Sequence, residues 1–311
     1  MPPTSVLIAC VWIAASLCAS CASERVESPS GNSVVARAQV ALADSHARAP
    51  FGEYEVAYSD SGGADTALVF VHGWAADRRV WDEQLAPLAE HSRVLAVDLL
   101  GHGLSDQPEI DYSVEVLAQS LQAVLRHAGL RRVVLVGHSN GSAVVLALAR
   151  STPQSVAGLI IVDGALQPLQ VDPATLDAYL ARYRGDDYLT HVERDGRQML
   201  SPRLPPARRD DLLAMMRAVP QHVLVSSLAG NFDPAAWSTA PLDCALLVIR
   251  ARSLFWTDES QRFAESLTPH TEYHVLDGVT HYLMLDEAHT FRLLLNDFVE
   301  RRELLGVVRN G

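Results

Sequence analysis

Along this chain, short unbroken hydrophobic runs alternate with longer stretches in which apolar positions recur at helical spacing. The runs are Ala67-Leu68-Val69-Phe70-Val71, Val94-Leu95-Ala96-Val97, Val133-Val134-Leu135-Val136, Leu159-Ile160-Ile161-Val162, Ala245 to Ile249 and Glu272 to Leu276, with a weaker first strand over Glu53 to Tyr58. A run of this length flanked by Gly or Asp suits a parallel strand covered on both faces. Helical periods fall between the runs, at Val114 to His127, Ser142 to Arg150, Ser260 to Leu267 and Ala288 to Leu305. The alternation predicts an α/β fold built on a doubly wound, mostly parallel sheet.

One interval breaks the rhythm. Between Gly164 and Leu242 there is no strong strand run, while Leu176-Tyr179-Leu180-Tyr183 and Leu212-Leu213-Met216 carry helical spacing. Prolines, among them Pro168, Pro173, Pro202, Pro205, Pro206 and Pro220, punctuate it. A mostly helical cap insertion over about 165–242 accounts for this better than a loop of such length. It would cover the carboxyl edge of the sheet, where open α/β sheets bind ligands.

The ends of the chain change the picture in one respect. Val6 to Leu17 form an apolar run too short to span a bilayer, placed where the core of an export signal belongs. Residues 1–22 therefore read as a signal peptide or lipoprotein signal, and 23–50 as a polar tether, leaving 51–311 for the folded domain. Two readings of the signal's end stand side by side: Cys18-Ala19-Ser20-Cys21 resembles a lipobox that would lipidate Cys21, and Ser20 with Ala22 suits ordinary cleavage after Ala22. Either makes the protein exported: periplasmic or a membrane-anchored lipoprotein in a bacterium, secreted otherwise. Of the four cysteines only Cys244 lies in the body of the chain, at a strand entrance, so a buried structural thiol is expected and no internal disulfide. The net charge of −12 would repel phosphate backbones, which argues against nucleic-acid binding, and no feature points to a protein partner.

The candidate chemistry lies at Val133 to Gly141, where a strand run enters Gly137-His138-Ser139-Asn140-Gly141 and a helix-forming stretch follows at once. A serine hydroxyl is a weak nucleophile, and a sharp strand-to-helix turn exposes it to a base. Small residues on both sides, here Gly137 and Gly141, allow that turn. The following helix directs backbone N–H groups toward developing negative charge. Of the twelve histidines, His281 is the candidate base: it follows a strand and a Gly-containing loop, precedes a helix, and comes after the serine in chain order.

Four motifs carry a resemblance: Val71-His72-Gly73-Trp74, Asp98-Leu99-Leu100-Gly101-His102-Gly103-Leu104-Ser105, Gly137-His138-Ser139-Asn140-Gly141 and Gly278-Val279-Thr280-His281. In order and spacing the chain from about Phe51 onward resembles the α/β-hydrolase fold superfamily, in its branch of serine esterases, lactonases and carbon–carbon bond hydrolases. The resemblance implies an oxyanion hole made by the backbone N–H groups of Trp74 and Asn140, and it assigns His72 to shaping that loop. Asp98 to Ser105 would be a structural turn, with His102 and His138 as turn and pocket-wall residues. Haloalkane dehalogenases and epoxide hydrolases of this fold carry Asp at the nucleophile, and Ser139 argues against both.

The third catalytic member, a carboxylate that orients the imidazole, departs from the pattern. The usual position, in a loop after the strand Ala245 to Ile249, holds Leu254 within Ala251-Arg252-Ser253-Leu254. Asp258 lies four residues on, but Thr257-Asp258-Glu259 reads as a helix start. Asp163 ends the strand Leu159 to Val162, beside the nucleophile strand, a position that some family members use. Asp163 is preferred because a strand end holds a side chain more firmly, and a chain with no acid at all is the third reading. The expectation is a serine hydrolase acting on an ester, thioester or lactone of a small, mostly apolar molecule, without metal or cofactor. The alternatives are a carbon–carbon bond or amide (aminopeptidase-like) hydrolase, and a catalytically weakened ligand-binding member of the fold.

Overall fold

A computed structural model describes residues 46–306. The expected export signal and most of the expected tether lie outside the described residues. Eight strands, β1 (Ala47–Phe51), β2 (Tyr54–Asp60), β3 (Thr66–Val71), β4 (Val94–Val97), β5 (Arg132–His138), β6 (Val156–Val162), β7 (Ala245–Ala251) and β8 (Thr271–Leu276), form one sheet in the order β1-β2-β4-β3-β5-β6-β7-β8. β1 and β2 run antiparallel at one edge, and β3 to β8 are parallel. All seven expected strands are present.

The tether is shorter than expected. It was to run to residue 50, but Ala47–Phe51 pairs with Tyr54–Asp60 as an edge strand. Only Ala49 of this strand is buried, so no hydrophobic run announces it. Pro50 is tolerated because an edge position can spare an N–H.

Helices cover both faces: α1 (Asp82–Ala89), α2 (Val114–His127), α3 (Gly141–Ser151), α8 (Asp258–Leu267), the four-residue α9 (Leu283–Asp286) and α10 (Ala288–Arg301). α2 starts at Ser113, whose hydroxyl accepts from the Val116 N–H, and buries Leu117, Leu121 and Val124 against the sheet. The central strands are buried throughout. Each fully buried Val, Leu or Ile there contributes about 1.5–3 kcal/mol through removal from water. Cys244 is buried at the entrance to β7, and burial pushes its thiol up to about 11.

Between β6 and β7 the chain leaves the sheet and forms the cap: α4 (Pro173–Arg184), α5 (Tyr188–Met199), α6 (Pro206–Arg217) and α7 (Gln221–Phe232). Prolines stand at or just before the starts of α4, α6 and α7, where their missing N–H has no partner to lose. Inside the cap the Tyr183 hydroxyl and the Arg182 guanidinium both donate to the buried Asp195 carboxylate. Gly196 lets α5 approach α6, since a Cβ there would come within 2.7 Å of Met216 Sδ. The cap is joined to the sheet edge by Trp74, whose indole N–H donates to the Leu224 carbonyl of α7 at 2.9 Å.

Candidate active site

The loops leaving β3, β5, β6 and β8 meet at the carboxyl edge of the sheet beneath the cap. Ser139 follows β5 with φ of 51°, in the left-handed region that a serine adopts only under constraint. Its neighbours explain how the turn is held. A Cβ on Gly141 would come within 2.5 Å of the His72 carbonyl, and one on Gly137 within 2.7 Å of Val145. Glycine is required at both, and the turn brings Ser139 to within 2.9 Å of where a Cβ on Gly73 would sit. Strain of this kind costs about 1–3 kcal/mol and is retained because the packing around it permits no alternative.

Asp163, directly after β6, is buried and also has a positive φ, 44°. Its Oδ2 lies 2.7 Å from His281 Nδ1. Its Oδ1 accepts from the Ala251 N–H at 3.1 Å and from the Trp256 indole N–H at 2.8 Å. Three donors therefore fix both oxygens of the carboxylate. Trp256 stacks in turn on the buried Arg250 guanidinium, 3.6 Å from its ring centroid, and Arg250 donates to the Gly164 carbonyl at 2.7 Å. Sequence reasoning did not single out Trp256 or Arg250; an Arg inside a strand that is otherwise apolar was the available signal.

Asp258 is not brought to the site. It is exposed in the first turn of α8, after the N-cap Thr257, where a carboxylate complements the helix dipole. Leu254, at the usual acid position, is 91% exposed. Of the two carboxylates, only Asp163 touches His281.

His281 sits in the loop between β8 and α9. That loop is held by Asp286 Oδ2, which accepts from the Thr280 N–H and hydroxyl at 2.5 and 2.7 Å. It is held again by His138, whose Nε2 donates to the His281 carbonyl at 2.9 Å. His138 was expected in the pocket wall; it is instead fully buried behind the site, its ring tilted against that of His281 with centroids 4.7 Å apart. Burial lowers its pKa well below the ordinary imidazole value, so it stays neutral. His72 Nε2 accepts from the Leu99 N–H at 3.0 Å and Nδ1 donates to the Gly73 carbonyl at 2.8 Å. Both ring nitrogens are thus occupied in shaping the loop, and burial lowers His72 to about 4. His102 is likewise buried, lowered to about 3 by its surroundings. In the turn that follows β4, Asp98 accepts from the Arg78 guanidinium and the Leu104 N–H, and Gly103 leaves room for that carboxylate.

The backbone N–H groups of Trp74 and Asn140 donate to no partner among the described residues. They stand on the two loops that flank Ser139. A cleft of about 850 Å³, its open mouth included, runs from Ser139, Asp163 and His281 to the cap. Its walls are mostly apolar, with Leu169, Met199, Leu228, Phe232, Phe255 and Val279 among them. A smaller chamber of about 300 Å³ opens on the far side, bounded by Gly73, Trp74, Leu99 and Val144. Asn140 and Asn231 line both. Among the described residues, no group of three His, Cys, Asp or Glu side chains is arranged to hold a metal ion.

Comparison with known proteins agrees with the fold. The family profile of the alpha/beta hydrolase fold matches residues 66–288. The uncharacterized protein Mb2734 of Mycobacterium bovis is 40% identical over 100 residues, which are 32% of this chain and 29% of that protein, so the match spans less than a third of its relative's length. A thermophilic esterase from Thermogutta terrifontis superposes with a TM-score of 0.73 at 21% identity, over 83% of this chain and 98% of its own. Est816, described as an N-acyl homoserine lactone degrading enzyme, superposes with a TM-score of 0.68 at 26% identity, over 81% of this chain and all of its own.

Proposed function

The chain belongs to the α/β-hydrolase fold family, and from that premise we propose that it is a serine hydrolase cleaving an ester, thioester or lactone of a small, mostly apolar substrate. The observation that carries the reading is the Asp163–His281 contact of 2.7 Å in the same cleft as Ser139 on its strained turn. With Nδ1 donating to Asp163, Nε2 is the nitrogen that takes the Ser139 proton as the hydroxyl attacks the carbonyl carbon. The oxyanion that forms is met by the Trp74 and Asn140 N–H groups; one such donor is worth about 3–4 kcal/mol of transition-state stabilisation. Collapse expels the alcohol or thiol, which takes its proton from His281. A water, deprotonated by the same imidazole, then releases the acid and restores Ser139.

The apolar walls of the cleft favour a small substrate with little charge. Esterase and lactone-degrading neighbours support the same bond class. The reading as a weakened binding protein rested on a missing acid; a carboxylate held by three donors beside His281 favours turnover instead. We also propose export, from residues 1–22, which fractionation of tagged full-length and Cys21→Ser chains would test by where each is found.

The test uses a fluorophosphonate probe and a panel of nitrophenyl esters. The wild type is expected to label and to hydrolyse short-chain esters, and Ser139→Ala to do neither. Labelling that persists in Ser139→Ala, or a wild type inert to the probe and to the whole panel, would overturn the proposal.

A further inference from the structure

β7 is apolar at six of its seven positions and carries a guanidinium at the other. Arg250 is 1% exposed, and burial pulls its pKa below the ordinary guanidinium value. No carboxylate forms an ion pair with it among the described residues, and its Nε has no hydrogen-bond partner. The carboxylate whose charge acts on it is that of Asp163, and Tyr273 of β8 also faces it, with the ring centroid 5.7 Å away. An apolar side chain of similar volume is often as stable as a charge buried in this way. Stability alone therefore does not account for an arginine here.

Two contacts of the guanidinium lead to the active site. It lies 3.6 Å from the centroid of the Trp256 ring, whose indole N–H donates to Asp163 Oδ1 at 2.8 Å. It also donates to the Gly164 carbonyl at 2.7 Å. Gly164 is wedged against the nucleophile turn, since a Cβ there would come within 2.7 Å of the Ser139 carbonyl oxygen. The strand residues on either side of Arg250 complete the frame. The Asp163 N–H donates to the Ile249 carbonyl at 2.8 Å, and the Ala251 N–H donates to Asp163 Oδ1 at 3.1 Å. Asp163, with its φ of 44°, and Gly164 are thus held from three successive residues of β7. The loop that follows puts an exposed Leu254 at the usual acid position and delivers Trp256 to Asp163 instead.

We propose that Arg250 is a positioning residue for the Asp163–His281 pair: it sets Trp256 against the carboxylate, ties Gly164 to the nucleophile turn and places a fixed positive charge behind the acid. The inference rests on the serine-hydrolase reading and deepens it. Arg250 does not meet substrate; it acts through Trp256, through Gly164 and by its charge. That charge, on the far side of the indole from Asp163, disfavours a second positive charge on the His281 imidazole. Asp163, the neutral His138 and Tyr282 also face His281. Arg252, which lines the same cleft, is paired with Asp277.

The experiment measures kcat, KM and the pH profile of kcat/KM for nitrophenyl butyrate in the wild type, Arg250→Met and Arg250→Lys, with melting temperature to confirm folding. In Arg250→Met kcat is expected to fall about 10-fold, with KM within about twofold because the residue does not touch substrate. The acid limb of kcat/KM, which reports protonation of the base, is expected to move up by about half a pH unit once the charge is gone. Arg250→Lys keeps the charge but not the flat fork that stacks on Trp256, so the limb is expected at its wild-type pH with kcat partly recovered. A limb that does not move in Arg250→Met, one that moves equally in Arg250→Lys, or a kcat of Arg250→Met within about twofold of wild type would overturn the inference. Arg250→Gln takes the place of Arg250→Met if the latter does not fold, and failure of both to fold makes Arg250 a structural residue, which overturns the inference as well. These outcomes are read against a wild type that labels with fluorophosphonate and cleaves the ester. A wild type that does neither overturns the serine-hydrolase reading, and the inference with it.

Discussion

Replacing Asp163 by asparagine tests the site at its most informative point, since the shape of the side chain is kept and only one hydrogen-bonding end changes. Oδ1 lies where the Ala251 and Trp256 N–H groups converge, at 3.1 and 2.8 Å. In Asp163→Asn the amide oxygen has to remain there, because an NH2 group cannot accept from either. The NH2 end then faces His281 Nδ1, in place of the oxygen that stood 2.7 Å away. His281 must present Nδ1 as an acceptor and carry its proton on Nε2, the nitrogen that should take the Ser139 proton. The imidazole is intact but holds the wrong tautomer. A loss of about 10⁴ in kcat is expected, or about 5.4 kcal/mol at 1.36 kcal/mol per tenfold. The assay is nitrophenyl butyrate hydrolysis with kcat and KM resolved, beside Asp258→Asn, whose exposed side chain predicts a change within about twofold. Retention of more than about a tenth of wild-type kcat by Asp163→Asn, or an equal loss in Asp258→Asn, would refute the assignment.

Trp256→Phe keeps most of the ring over Arg250 but removes the indole N–H from Asp163 Oδ1. Because the Ala251 N–H remains, kcat is expected to fall only about 3- to 10-fold, less than the roughly 10- to 100-fold that a whole hydrogen bond to a charged group is worth; unaltered kcat in steady-state assays would mean that the indole does not help to hold the acid. Acid stability follows from the buried imidazoles. His72 and His102 have folded pKa values of about 4 and about 3, against 6.5 for an exposed histidine. Below 6.5 the unfolded chain therefore binds their protons first, so their contribution is complete above that pH and is lost as pH falls toward 4. At pH 5 each costs on the order of 2 kcal/mol. Urea unfolding at pH 7.5 and 5 should show that drop, with a shallower slope in His102→Asn, and a flat profile would contradict it.

What could be read from the residues alone was whatever local pattern enforces. Buried parallel strands require continuous apolar runs, so the central strands of the sheet were legible, whereas β1 was not because an edge strand buries almost nothing. The elbow at Ser139 was legible because its turn demands Gly137 and Gly141 at fixed offsets. The choice between Asp163 and Asp258 was not, because it depends on which side chain reaches His281 across more than a hundred residues of chain. Local preference could say only that Asp258 suited a helix start. The roles of Trp256 and Arg250 were hidden for the same reason, since an indole N–H acquires a function only from the carboxylate it meets. The chain by itself determined the sheet and pointed to a candidate nucleophile and base upon it. The packing of β6 against β7, and of the loops beyond them, decided which carboxylate meets His281, because that is a matter of distance between segments that sequence spacing does not constrain.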